Sequence, residues 1–149
     1  MKVGDVCRRA VVTAMPGETI AEAARRMRDH HVGTVVVVDP DRGERPIGIL
    51  TDRDIVVSAV AQSPDKLEVL EVGDVMTPDV VTIHPFESVR SALELMHRHG
   101  VRRLPVVDGD GRLEGLLSLD DILETKAAEL DELVGLVAGE QRREREVRR

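Results

Sequence analysis

The sequence predicts a mixed α/β (α+β) body: two β-α-β-β-α repeats packed about a pseudo-two-fold axis. Three observations predict it. Residues 3–39 align without a gap on residues 72–108, with the same amino acid at 16 of 37 positions. A two-residue deletion in the following loop then brings Gly48 onto Gly115 and Asp54 onto Asp121. Within each copy, apolar residues at helical spacing are followed by short β-branched runs. A lone copy of about 60 residues buries too little surface to be comfortably stable, so the copies are expected to pack together. The expected division is 1–65 for the first repeat, 66–126 for the second and 127–149 for a helical, charged C-terminal tail.

Each copy opens with Val-Gly-Asp-Val and then a β-branched triplet, Val11-Val12-Thr13 or Val80-Val81-Thr82, which reads as a short strand ending at Pro16 or Pro85. Thr19-Ile20-Ala21-Glu22 is a capping box. Ile20, Ala23, Ala24 and Met27 then form one apolar helix face, repeated as Val89, Ala92, Leu93 and Met96 behind Ser88. Val35 to Val38 reads as a buried strand. Its counterpart contains Pro105, which suggests pairing that starts late or an edge position. A turn over Asp39 to Gly43, and in the second copy the Asp-Gly pairs of Asp108 to Gly111, lead to returning strands over Ile47–Leu50 and Leu113–Leu117. Each ends in a hydroxyl three residues before an acid, Thr51-x-x-Asp54 and Ser118-x-x-Asp121, a helix-start signature. In the tail, Leu123, Ala127, Leu130, Val134 and Val137 step by 4, 3, 4 and 3, a short heptad seam. The charged run after Gly139 reads as a solvated helix end.

Composition excludes several classes. Phe86 is the only aromatic residue and the formal net charge is −7, which argue against base stacking and phosphate neutralisation, and so against nucleic-acid binding. No apolar run reaches membrane-span length and no signal-peptide pattern opens the chain. Cys7 is the only cysteine, so no intramolecular disulfide forms, which fits a reducing, cytoplasmic setting. It reads as a small buried apolar residue. His30-His31 and His97-x-His99 fall at helix ends without converging ligands, so no metal is expected. No P-loop, nucleophile elbow, metalloprotease motif or Rossmann fingerprint is present, and the chain is expected not to be an enzyme or to need a catalytic cofactor.

The two hydroxyl–carboxylate corners are the strongest functional candidates. At a helix N-terminus the free N–H groups favour an anion, and a carboxylate can accept both hydroxyls of a ribose diol. Plain helix capping explains the same spacing, and duplication copies caps as faithfully as sites. Gly48 and Gly115 mark close backbone approach within a strand.

Taken together, these motifs resemble a tandem pair of cystathionine-β-synthase (CBS) domains, a Bateman module. The residues that carry the resemblance are Asp5-Val6, Val11-x-Thr13-x-x-Pro16, Val36-Val37-Val38-Asp39 and Gly48-Ile49-Leu50-Thr51-Asp52-Arg53-Asp54, with Asp74-Val75-Met76, Val80-Val81-Thr82, Leu104-Pro105-Val106-Val107-Asp108 and Gly115 to Asp121 in the second copy. It covers about residues 2–125.

The resemblance implies a disc-like module with two clefts for adenosine compounds such as AMP, ADP, ATP, NAD or S-adenosylmethionine. By that likeness Asp54 and Asp121 hold the ribose diol, Thr51 and Ser118 lie toward phosphate, and Thr13 and Thr82 line the clefts. Backbone around Ala14-Met15 and Ile83-His84 frames the adenine, Arg102 and Arg103 meet phosphate, and Pro105 is counted among the ligand-binding residues. The first copy has Gly33-Thr34 where the second has the arginine pair, so the clefts are expected to be unequal. Arg53, or a basic residue of the other copy, is the candidate replacement. If one cleft is filled, the expectation favours the one ending in Ser118 and Asp121. Surface charge balance accounts for Arg102 and Arg103 equally well from composition alone.

The expected function is therefore a regulatory ligand-sensing module, with an adenosine nucleotide as regulatory ligand, a homodimer, and an effector protein the sequence does not name. The competing expectation is a constitutive interaction or scaffold module with empty clefts.

Overall fold

The computed structural model describes residues 1–148; Arg149, the end of the charged run, lies outside the described residues. In chain order the first repeat contributes α1 (Val3–Val6), β1 (Thr13–Ala14), α2 (Ile20–His30), β2 (Thr34–Asp39), β3 (Arg45–Thr51) and α3 (Asp52–Asp54). A π-helical stretch, Ile55–Val60, continues α3. The second contributes α4 (Val72–Val75), β4 (Thr77–Pro78), α5 (Val89–His99), β5 (Arg103–Val107), β6 (Leu113–Ser118) and α6 (Leu119–Val147). The long helices start where the caps predict: Thr19 accepts the Glu22 amide and Ser88 the Ser91 amide.

The repeats exchange their leading segments. One sheet runs β1-β2-β3-β4, so its last strand belongs to the second repeat. The other is β5-β6, and Arg8 of the first repeat bridges to Leu116 on its edge. Val3 is fully buried among Ile83, Ala92 and Leu104 of the second repeat, while Val72 is fully buried among Ile20, Val35 and Leu50 of the first. Matching backbone bonds fix both exchanges: Gly4 N–H donates to Pro85 O at 2.8 Å, and Gly73 N–H to Pro16 O at 3.0 Å. This reciprocity is the pseudo-two-fold relation. Each exchanged valine contributes about 1.5–3 kcal/mol of apolar burial to the other repeat's core, which ties the stability of one to the other.

Exchange also explains two glycines. A Cβ on Gly115 would sit 2.9 Å from Arg8 O, and one on Gly48 would strike the Met76 side chain and lie 3.0 Å from Thr77 O. The close approach read from the sequence is made by the other repeat's leader.

Pro105 bears out the edge position and not the late start: its sheet has two strands, so β5 is an edge strand. Pairing of β5 with β6 starts at Arg103, opposite Ser118, and Pro105 faces Leu116 in register. Its missing N–H falls on the opposite side. At the equivalent position Val36 N–H donates to Val12 O at 3.1 Å and fastens β1. Without that donor, the second copy has no counterpart of β1, and only an isolated bridge joins Ile83 to Val106; in the first copy the strand is Thr13–Ala14, so of the expected triplet Val11 and Val12 lie outside it.

Alternation along the strands separates two faces. Val35, Val37 and Leu50, like Leu104, Val106 and Leu117, point into helix-covered cores. Val36 and Pro105 are equally buried but belong to neither core, which places them on the opposite face, at the seam between repeats. Beyond Thr125, every described residue of α6 is exposed, including Leu130, Val134 and Val137 of the heptad seam.

Candidate functional site

The two corners are built alike. Thr51 N–H donates to Asp54 Oδ2 at 2.9 Å, and Asp54 N–H to Thr51 Oγ1 at 3.1 Å. Ser118 N–H reaches Asp121 Oδ2 at 3.3 Å, and Asp121 N–H reaches Ser118 Oγ at 3.1 Å. Both are capping boxes in the full reciprocal sense.

They differ in what else the carboxylate holds. Asp121 Oδ2 also accepts the Ser118 hydroxyl at 2.7 Å, and Oδ1 accepts Arg8 Nε at 2.7 Å. Only 8% of Asp121 is exposed. Burial works against its charge, but the Ser118 hydroxyl and the Arg8 guanidinium outweigh it and hold the carboxyl below its usual range. Asp54 is half-buried, and its Oδ1 accepts nothing from another described residue. The position matching Arg8 in the second leader is Thr77. Opposite Thr51 in the register stands Thr34, whose buried Oγ1 has no hydrogen-bond partner. Buried hydroxyls are nearly always satisfied, so that oxygen is a vacant polar contact beside the first corner.

Two clefts open near these corners. The smaller, about 340 Å³, crosses from Ile49 on β3 over the second leader, Thr77 to Val81, to Val101, Arg102 and Arg103. Thr51 lies two residues beyond Ile49 on the same strand face, and Arg103 pairs in register with Ser118, but none of Thr51, Asp54, Ser118 and Asp121 is itself a lining residue of either cleft. The smaller cleft's volume falls in the range of small-molecule pockets, about 300–1,000 Å³. The larger, about 690 Å³, runs along Val11 to Met15 and under Arg26 and His30 of α2.

The sequence-assigned residues divide accordingly. Arg102 and Arg103 line the smaller cleft and Thr13 lines the larger. Thr82 is exposed outside both linings. Ile83 packs in the second repeat's core and Pro105 is fully buried, and neither lines a cleft. His84 is committed elsewhere: Nδ1 lies 3.2 Å from Val107 O and the ring stacks on Phe86 at 5.3 Å. Arg53 lines neither cleft.

Three residues escape sequence reasoning. Arg8 carries no local signal, because only leader exchange brings it to Asp121. Ile49 borders the arginine cleft for the same reason. Arg26 supplies a cation to the larger cleft, but it donates to Thr13 O at 2.8 Å and Glu18 Oε2 at 2.6 Å, which pins β1 to α2. Its helical phase, three residues after buried Ala23, is the only clue, and Arg25 and Arg28 look no different in the sequence. Cys7 packs against the second repeat's core, and burial pushes its thiol up, away from a nucleophilic thiolate. Among the described residues no cluster of three His, Cys, Asp or Glu is placed to hold a metal, and no helix is long and apolar enough to cross a membrane.

Comparison with known proteins agrees with this architecture. The CBS domain family model matches residues 3–60 and 72–128. The chain belongs to the CBS domain family, as a tandem pair. A Methanopyrus kandleri protein is 41% identical over 126 residues, a match that takes in 85% of this chain and 63% of that protein. The CBS domain pair of protein MJ0100, solved with 5′-methylthioadenosine and S-adenosyl-L-methionine, superposes with a TM-score of 0.75 at 28% identity, over 87% of this chain and 98% of that one. The CBS domain protein PAE2072 from Pyrobaculum aerophilum, solved with AMP, gives 0.72 at 30% identity over 81% and 89% of the two chains.

Proposed function

We propose that this CBS pair is a regulatory module that binds an adenosine nucleotide or derivative in the clefts between its repeats. The observation that carries this reading is the arginine cleft: a groove of ligand size lined from both repeats, with two guanidinium groups on one wall, Ile49 two residues before the first corner and Arg103 in register with Ser118 of the second. The ligands of the two solved relatives, AMP and S-adenosyl-L-methionine with 5′-methylthioadenosine, share the adenosine core this geometry suits.

In this reading Asp121 accepts the ribose diol, and Arg102 and Arg103 meet phosphate, for which paired guanidinium donors are suited. Arg8 must then leave the carboxylate. Its side chain is 68% exposed, so it is free to swing to the same phosphate. Thr51, Asp54 and the vacant Thr34 hydroxyl offer the corresponding polar groups at the first corner, without an arginine pair. A ligand that prefers one packing of the repeats shifts the population toward it, and the output passes to a partner or to the assembly.

The test is thermal unfolding and calorimetry of the full chain with AMP, ATP, NAD and S-adenosylmethionine. A ligand at 100 times its dissociation constant stabilises the fold by about 2.7 kcal/mol. No stabilisation by any of the four leaves the scaffold reading standing instead.

A further inference from the structure

The most conspicuous feature that the clefts do not use is the outer part of α6. Residues 129–149 lie beyond the CBS match, and α6 runs unbroken to Val147. A helix standing in water needs packing along an apolar face to be stable, since propensity alone is marginal. Here that face is bare: Leu123 is 57% exposed, Leu130 61%, Val134 60% and Val137 56%. With Ala127 they form one seam at heptad spacing. Nothing among the described residues covers it.

We propose that α6 is a dimerisation stalk, pairing in parallel with α6 of a second copy of this chain. The occupant follows from self-complementarity. In a parallel two-stranded coil each seam residue meets its own copy, so Leu123, Ala127, Leu130, Val134 and Val137 form five successive apolar layers. A β-branched residue alternates with leucine at Val134 and Leu130, the arrangement that favours two strands. The flanking positions pair with the partner's flanking positions five residues further on. Lys126 then faces Asp131 of the partner subunit, and Glu140 faces the partner's Arg145; two-fold symmetry repeats both. Within one chain Lys126 finds only a loose exposed contact, 3.4 Å to Glu129.

Antiparallel pairing does less well. The antiparallel register that opposes Lys126 to Glu140 sets Leu130 against Val134 and Ala127 against Val137, but it turns Leu123 onto Gln141 and Asp131 onto the partner's Asp131. It keeps one favourable charge pair per chain instead of two, adds a like-charge contact and buries one apolar layer fewer. Parallel pairing places the two CBS bodies at the same end of the stalk, with the two-fold axis along it.

The experiment measures mass and orientation. Sedimentation of the full chain is expected to give twice the mass of the 149-residue chain, and Leu130→Glu with Val134→Glu to give the monomer mass. Both positions are exposed, so the thermal transition of the CBS body should survive; an unchanged melt separates lost pairing from lost folding. Orientation is read with Ala127→Cys in a Cys7→Ser background. In parallel pairing the two thiols are adjacent and oxidation yields a covalent dimer; in the antiparallel register just described position 127 faces Val137 and the two thiols lie roughly 15 Å apart along the stalk at 1.5 Å rise per residue. A monomeric unmodified chain, a dimer that persists in the double glutamate variant, or a dimer that resists cross-linking at position 127 each overturns the proposal.

Discussion

The corners Thr51–Asp54 and Ser118–Asp121 are near-copies in sequence and unequal in chemistry. Both satisfy their helix start with the same reciprocal bonds. Among the described residues only the second carboxylate is also clamped by a guanidinium, because Arg8 stands in one exchanged leader and Thr77 in the other. Duplication therefore preserved the local motif while the long-range partner diverged. A site in such a module is set as much by the leader arriving from the other repeat as by the motif itself.

The largest expected effect tests which carboxylate does the work. Asp121→Ala should weaken an adenosine ligand by at least tenfold, since a hydrogen bond to a charged group contributes about 1.5–3 kcal/mol. Asp120→Ala, exposed and paired only loosely with Arg102 at 3.5 Å, should change affinity little. Asp54→Ala completes the comparison: a loss matching that of Asp121→Ala would mean that the clefts are equivalent despite Arg8. Equal affinities for the position-120 and position-121 variants would remove the ribose assignment.

A second contrast is between the first strands. Val36→Pro imports the second repeat's proline into the first. It deletes the bond to Val12 O and should detach β1, at a cost of about 1–3 kcal/mol for the carbonyl left unpaired. Denaturant unfolding measures the loss, and hydrogen exchange should show the Thr13–Ala14 amides opening more readily. Unchanged exchange there would show that Arg26, which holds Thr13 O, is enough to keep β1 in place.

These contrasts show what a sequence carries. The repeats, the caps at Thr19, Ser88, Thr51 and Ser118, and the buried faces were legible because each depends on residues within one helical turn or one strand. The arginine pair was legible as a position. Leader exchange was not: Val3-Gly4-Asp5-Val6 reads identically whether it packs on its own repeat or on the other. Arg8, Ile49 and the purpose of Gly48 and Gly115 all follow from that one hidden step. Pro105 was legible as a disturbance, but its side of the strand was not, because the alternating direction of backbone N–H groups needs a known neighbour.

The clamp itself has a pH signature. Asp121 has a lowered pKa in the folded state, so its contribution is complete above the ordinary carboxylate value, about 3.9, and is lost as pH falls from there through the folded value. Arg8→Gln should cost about 0.5–1 kcal/mol at neutral pH, a modest figure because Arg8 is largely exposed. The gap between the two proteins should narrow below about pH 4, as protonation removes from the native chain what the variant already lacks. Unfolding curves at pH 7 and pH 3 measure it. A gap that stays constant would mean that Arg8 acts through packing on β6 rather than through the carboxylate.

The smallest effect sharpens the comparison at the helix ends. α2 and α5 both stop with a left-handed residue whose N–H closes the last turn, His31 at φ 54° and Gly100 at φ 63°. The geometry is the same, but the first copy forces a side chain into it. A left-handed residue with a Cβ costs roughly 1–2 kcal/mol, and glycine gives back part of that through its greater freedom in the unfolded chain. His31→Gly should therefore stabilise by about 0.5 kcal/mol, and Gly100→His should destabilise by a similar amount. A Cβ at position 100 meets nothing within 4 Å, so that substitution tests backbone conformation alone. Changes of the same sign in both variants would mean that His31 makes a compensating interaction of its own, and that the two helix ends, like the two corners, have diverged beneath a shared outline.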